Sequence, residues 1–226
     1  MRKLLVVLVL LAVVVGVVDR VAVAGAEKEI ARQVASRYKL SQQPEVDIRG
    51  IPFLTQALGG TYDEIAVKMG PMNRDGVKLA RVDATLHGVR APLSELLSST
   101  GATKIVADRV EGSAVISRET IAARAPQGME IGGNGDALTV SGKLNLLGRE
   151  VPVKAELKVT TTEGGIQVTP TEVDAGGVPV PRAFYARMTY LVPVRNLPLG
   201  LKVTGARPTS EGLEVKAVGE NVPLRG

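Results

Sequence analysis

The 226-residue chain has no cysteine and no tryptophan, a single histidine, two phenylalanines and four tyrosines. Without cysteine there is no disulfide framework, no thiolate zinc site and no thiol nucleophile. The absence leaves the redox compartment open, since many exported bacterial proteins also lack cysteine. His87, in "ATLHGV", has no second imidazole with which to share a metal. It also has no G-x-S-x-G elbow to activate. We read it as structural or solvated, and expect no catalytic residue, no metal ligand and no cofactor. Few aromatics also argue against nucleic-acid modules, which pair clustered Lys and Arg with stacking rings. Glycosidase clefts usually carry aromatic platforms, for which this chain has few residues. The carboxylates Asp47, Asp63, Glu64, Asp83, Asp108 and Glu111 are scattered, and whether two of them meet in space is invisible here. Asp63 and Glu64 are neighbours, but adjacent strand residues point to opposite faces. "GGNGD" at 132–136 lacks the Lys-Ser/Thr tail of a phosphate loop and reads as a turn.

The formal charge is +5. Residues 1–26 hold Arg2, Lys3, Arg20 and Asp19, so the remainder carries +3. Such a mild basic bias suits an anionic lipid surface, and no nucleic-acid partner is expected.

Long apolar runs are present in one place only. After Arg2 and Lys3 come fifteen uncharged, almost wholly apolar residues, 4–18. A basic start and an apolar stretch of this size form the pattern of a secretory signal, with A-x-A-like sites at Ala22, Ala24 and Ala26. The run is a little short for a bilayer span of roughly 17–25 residues. Uncut, it could still anchor the chain with its positive end cytoplasmic. We therefore assign 1–26 as signal peptide or N-terminal membrane anchor, favouring cleavage, and 27–226 as a single exported domain.

"AEKEIARQVASRY" then places Ile30, Val34 and Tyr38 on one helical stripe. Beyond it the dominant period is two. In "VPVKAELKVT" Val151, Val153, Ala155, Leu157 and Val159 share one face, while Lys154, Glu156 and Lys158 share the other. "DALTVSGKLNLLG" repeats this with Leu138, Val140, Leu144 and Leu146, and "LEVKAV" with Leu213, Val215 and Ala217. Turn signals at 73–76, 132–136, 163–165 and 210–212 separate the runs. Short helical pieces are expected at 92–99 and at 117–126, the second capped by Ser117 and stopped by Pro126. Strands joined by short turns predict an α+β fold: a long, curved antiparallel sheet wrapped around an N-terminal helix, leaving an apolar trough.

"VDIRGIPFLTQALGGTYDEIAV" resembles the signature of the LmeA-like phospholipid-binding family, in which a strand ends in Gly before Pro-Phe-Leu-Thr-Gln and Gly-x-Tyr. "ATKIVADRVEGSAVISRETI" and "YLVPVRNLPLGLKVTGARPTSEGLEVKAVGENVPL" are similar to the family's middle and end. The resemblance implies a half-barrel of the tubular lipid-binding (TULIP) kind. It further implies an exported protein of the bacterial envelope, non-enzymatic, that carries or presents an anionic phospholipid, with the phosphatidylinositol type as the candidate, for lipid or lipoglycan assembly. Lipid and membrane surface are the partners implied. The alternatives are an anchored scaffold without lipid, or an enzyme acting on lipid or glycan.

Burying an acyl chain yields about 0.8 kcal/mol per CH₂, so a lipid site needs an apolar trough and little polar machinery. The expected lipid contacts are Ile30, Val34, Ile51, Phe53, Leu54, Leu58, Phe184 and Met188. Pro52 fixes the turn, and Phe53 is expected to be thrust out there, to line the trough mouth or touch the bilayer, unless it plugs the core. Arg182 and Arg187, inside "GGVPVPRAFYARMTY", are candidates to clamp a lipid phosphate, unless they face water on a covering helix.

Overall fold

The computed structural model describes residues 2–74, 76–92, 105–123, 129–134, 137–146, 149–162, 165–179, 189–193 and 197–225. It opens with one helix, α1 (Arg2–Tyr38), of 37 residues. The apolar run and the later amphipathic stripe are thus joined without a break. No proline interrupts this stretch, and Leu, Val and Ala dominate it. Gly16 and Gly25 each cost about 1 kcal/mol, which the surrounding helix formers absorb.

The end of α1 is closed by two backbone bonds. Leu40 N donates to the carbonyl of Ala35 at 2.9 Å, and Lys39 N to that of Ser36 at 3.3 Å. This pairing requires a left-handed residue between them, and Lys39 supplies it with φ 52°. A side chain is strained there, where glycine is not. Lys39→Gly is therefore expected to raise stability by about 0.5–1 kcal/mol, read as an increased urea midpoint with unchanged slope.

The strands that follow are β1 (Glu45–Arg49), then, after α2 (Phe53–Gly59), β2 (Thr61–Met69), β3 (Met72–Arg74), β4 (Val77–Arg90) and β5 (Ile105–Ser117). After α3 (Arg118–Ala122) come β6 (Met129–Asn134), β7 (Ala137–Leu146), β8 (Arg149–Thr162), β9 (Gly165–Ala175), β10 (Val178–Pro179) and β11 (Tyr190–Pro193). A single turn at Pro198–Gly200 leads to β12 (Lys202–Thr209) and β13 (Gly212–Arg225). One sheet runs β1-β2-β4-β5-β13-β12 with β3 on β4; the other runs β10-β9-β8-β7-β6 with β11 on β9. The class is α+β, a helix followed by large antiparallel sheet, not closed into a barrel.

The chain divides into two compact units. The first comprises Met1–Gly70, Asp83–Glu111 and Gly219–Gly226; the second comprises Pro71–Val82 and Gly112–Val218. In the second, the alternation expected of residues 151–159 is visible in burial. Val153 and Ala155 are buried while Lys154, Glu156 and Lys158 are exposed. Register places Ala155 between Val140 and Val173, so one face of three strands closes a core with Val153 and Ala175. Ser117 caps α3 as expected, accepting from Thr120 N at 3.3 Å. Pro126 and the helical piece expected from 93 onward lie outside the described residues.

Candidate functional site

The signature stretch folds into one corner of the first unit, where β1 and α2, both packed on β2, meet the second half of α1. β1 and β2 pair antiparallel, with Ile48 opposite Ile65 and both buried. Gly50 ends β1 at φ 106°, a conformation that disfavours side chains. A Cβ there would also run into the amide of Gln56 and lie 2.9 Å from Asp63 Oδ2. The space is used: Gln56 Oε1 accepts from Asp63 N at 2.8 Å, and Gln56 Nε2 donates to the carbonyl of Arg49 at 3.3 Å. One side chain thus clips the end of β1 to the start of β2. Thr55 Oγ1 donates to the Pro52 carbonyl at 2.8 Å, and Gly60 closes α2 in the left-handed conformation.

Pro52 occupies the N-cap of α2 and offers no side-chain acceptor. The acceptor comes from α1. Asp19 Oδ1 takes the N–H of Leu54 at 2.8 Å, across 35 positions of sequence. Arg20 Nε donates to the other oxygen of the same carboxylate at 3.2 Å. Two turns later, Glu27 Oε1 accepts from Ile48 N at 2.9 Å, so α1 also covers β1.

The two aromatic rings of this corner pack together. Phe53 is 1% exposed and Tyr62 0% exposed, with ring centroids 6.2 Å apart. Phe53 is therefore not thrust out at the turn: it is the first residue of α2 and points into the core. Burial raises the Tyr62 phenol pKa above its ordinary value. Its hydroxyl has no hydrogen-bond partner among the described residues. Tyr62→Phe removes only that orphan oxygen, so the Tm is expected to stay level or rise, as scanning fluorimetry would record.

The other expected contacts divide by exposure. Ile30, Val34 and Leu54 are half-buried. Ile51 and Leu58 stand out, 82% and 90% exposed. Arg182, Phe184, Arg187 and Met188 lie outside the described residues. His87 Nδ1 sits 3.4 Å from Glu64 Oε2, and Glu64 also pairs with Arg49. Among the described residues no group of His, Asp and Glu is placed to hold a metal ion. Asp19 and Glu27 escaped the sequence reading, although a lone carboxylate ending fifteen apolar residues was a visible signal.

Along α1, residues 4–11, 13–15, 17, 18 and 21 present exposed apolar side chains on every side of the helix. By length and composition this helix could cross a membrane. One of its faces, formed by Val13, Gly16, Val17, Arg20, Val21 and Ala24, is a shallow, mostly apolar surface open to solvent.

No curated protein and no solved structure is detectably similar to the chain. A family model described as LmeA-like phospholipid-binding matches residues 17–218, which takes in the corner just described, the whole second unit and most of the first. On that match, the chain belongs to the LmeA-like phospholipid-binding family.

Proposed function

We propose that the protein is exported and binds phospholipid at the bacterial cell envelope, carrying or presenting an anionic, inositol-type lipid for envelope lipid or lipoglycan assembly, without catalysing a reaction. The observation that carries this reading is the family match over residues 17–218. The exposed apolar helix with Arg2 and Lys3 at its start supports export or membrane attachment.

In this reading the acyl chains lie along the half-buried residues Ile30, Val34 and Leu54, with Ile51 and Leu58 at the entrance and Phe53 as the buried root of α2. By residue type alone, Phe184 and Met188 are further candidates for apolar contact with lipid, and Arg182 and Arg187 for its phosphate. Two chains of about fifteen carbons release more than 20 kcal/mol gross on burial, so the acyl tails supply the affinity and the head group the selectivity.

The test is photo-crosslinking. The full chain is placed in phosphatidylcholine vesicles that carry a phospholipid with a diazirine in its acyl chain. Labelled peptides from beyond residue 38, competed more strongly by phosphatidylinositol than by phosphatidylcholine, are expected. Label confined to residues 2–24 would leave only an anchor and overturn lipid binding by the domain. Equal competition by the two lipids would overturn the anionic preference. With Arg182→Gln and Arg187→Gln combined, the preference is expected to vanish while total labelling persists.

A further inference from the structure

Reading residues 1–26 as a removable signal puts the cut at the small residues Ala22, Ala24 or Ala26. The structure assigns a different role to this segment. We infer that α1 remains uncleaved, its first half spanning the bilayer and its second half, from Asp19 onward, forming part of the folded domain, so that the exposed side of α2 is held against the membrane surface. The partner is a phospholipid bilayer. This inference does not rest on lipid binding by the domain, and either can fail without the other.

Four observations carry it. First, the protein-facing stripe of α1 does not begin at residue 27. Asp19, Val23 and Ala26 are buried, and Ile30 and Val34 continue the same stripe half-buried. Spacings of four, three, four and four keep these residues on one side of a helix. A cut at Ala24 or Ala26 would sever this stripe in the middle. Second, Asp19 is 3% exposed and supplies the N-terminal acceptor that α2 otherwise lacks. Removing it would orphan the Leu54 N–H in a part-buried setting. Third, the residues that match the family begin at 17 and so include Asp19, Val23 and Ala26. Fourth, the backbone through the small residues is helical, with Ala26 buried, whereas peptidases bind their substrates extended.

The anchor's length adds the docking geometry. Fifteen residues span about 22 Å as a helix, against a hydrocarbon core of about 30 Å. A short span thins the bilayer locally and draws its flanks into the interface. Arg2 and Lys3 flank one end and Arg20 the other, and both can extend their side chains to the head groups. α2 packs on α1 through Asp19, at the point where the apolar run ends. Among the described residues outside α1, Ile51 and Leu58 are the most exposed large apolar side chains; Ile51 lies just before α2 and Leu58 within it. They therefore enter the interface beside the anchor.

The experiment expresses the full chain in an exporting bacterial host and reads its intact mass and N-terminal sequence from the membrane fraction. The expected mass retains residues 2–26. A mature chain starting between residues 23 and 27 overturns the proposal. Independently, Asp19→Ala is expected to lower the Tm of the purified protein by about 3 °C or more, and Asp19→Asn, which keeps the acceptor oxygen, to restore most of it. An unchanged Tm in the alanine variant overturns the proposal, because a residue removed in maturation cannot stabilise the product. For the docked surface, Leu58→Cys introduces the chain's only thiol for a fluorescent probe. In vesicles of phosphatidylcholine and phosphatidylglycerol, brominated acyl chains are expected to quench it. Absence of quenching overturns the docking of α2.

Discussion

Phe53→Ala is expected to lower the stability of the first unit by about 3–5 kcal/mol. The ring is 1% exposed and packs on Tyr62, which is itself fully buried. Truncation removes the transfer free energy of the ring and leaves a cavity that a short helix and a two-stranded ribbon collapse into only partly. Alanine's better helix propensity returns about 0.5 kcal/mol at most, too little to decide the sign. Amide exchange should show the loss where the ring packs, in β1, α2 and β2. Phe53→Leu, which keeps most of the volume, is expected to cost under about 1.5 kcal/mol. A loss below 1 kcal/mol for the alanine variant would mean that the ring is not a core element and would reopen a surface role for it.

The burial of Phe53 also shows what the family signature is for. Gly50 leaves room for Gln56, Gln56 joins β1 to β2, Gly60 ends α2, and Tyr62 receives the Phe53 ring. These residues build the corner. Ile51 and Leu58 are the apolar residues of the same stretch that the fold leaves in solvent. On the proposed function, a lipid or a bilayer would meet the corner through them and through the half-buried stripe of α1; what the packing itself shows is that Phe53 holds α2 in place.

Much of this was legible in the sequence because period two survives averaging. Val153 and Ala155 face inward and Lys154 and Glu156 outward, as their alternation requires. Ser117 at the head of α3 was legible for a different reason: a cap is a local feature. What escaped was non-local or masked by composition. The Asp19 to Leu54 bond joins residues 35 apart, and no periodicity encodes it. The stripe of α1 was read only from Ile30, because residues 4–18 are apolar on every face and show no stripe at all. The register of the buried positions becomes visible only once contacts with β1 and α2 select Asp19, Val23 and Ala26. The direction of Phe53 was equally hidden. A turn residue can point either way, and the ring of Tyr62, nine positions on, decides it.

The second large effect is expected in the second unit, from Gly212→Ala. Gly212 opens β13 at φ 150°, in the region that side chains rarely adopt. It is buried, pairs with Thr209 across the hairpin, and lies against the end of β5. An added Cβ would collide with the carbonyl oxygen of Ile116 and lie 3.1 Å from Arg118 N. Both are backbone atoms, so no rotamer change relieves the contact, and the strand itself must shift. That shift would strain the bond from Arg118 N to the Glu211 carbonyl, which ties the hairpin tip to the start of α3. Overpacking against backbone together with an unfavourable dihedral points to a loss of about 3 kcal/mol or more. The control is Gly177→Ala, also at positive φ but with open space around its Cβ, where the dihedral strain acts alone at about 1 kcal/mol. Urea midpoints of the two variants separate collision from strain. Equal losses would show that the β13 strand moves freely away from Ile116, and that this end of the hairpin is not rigidly packed.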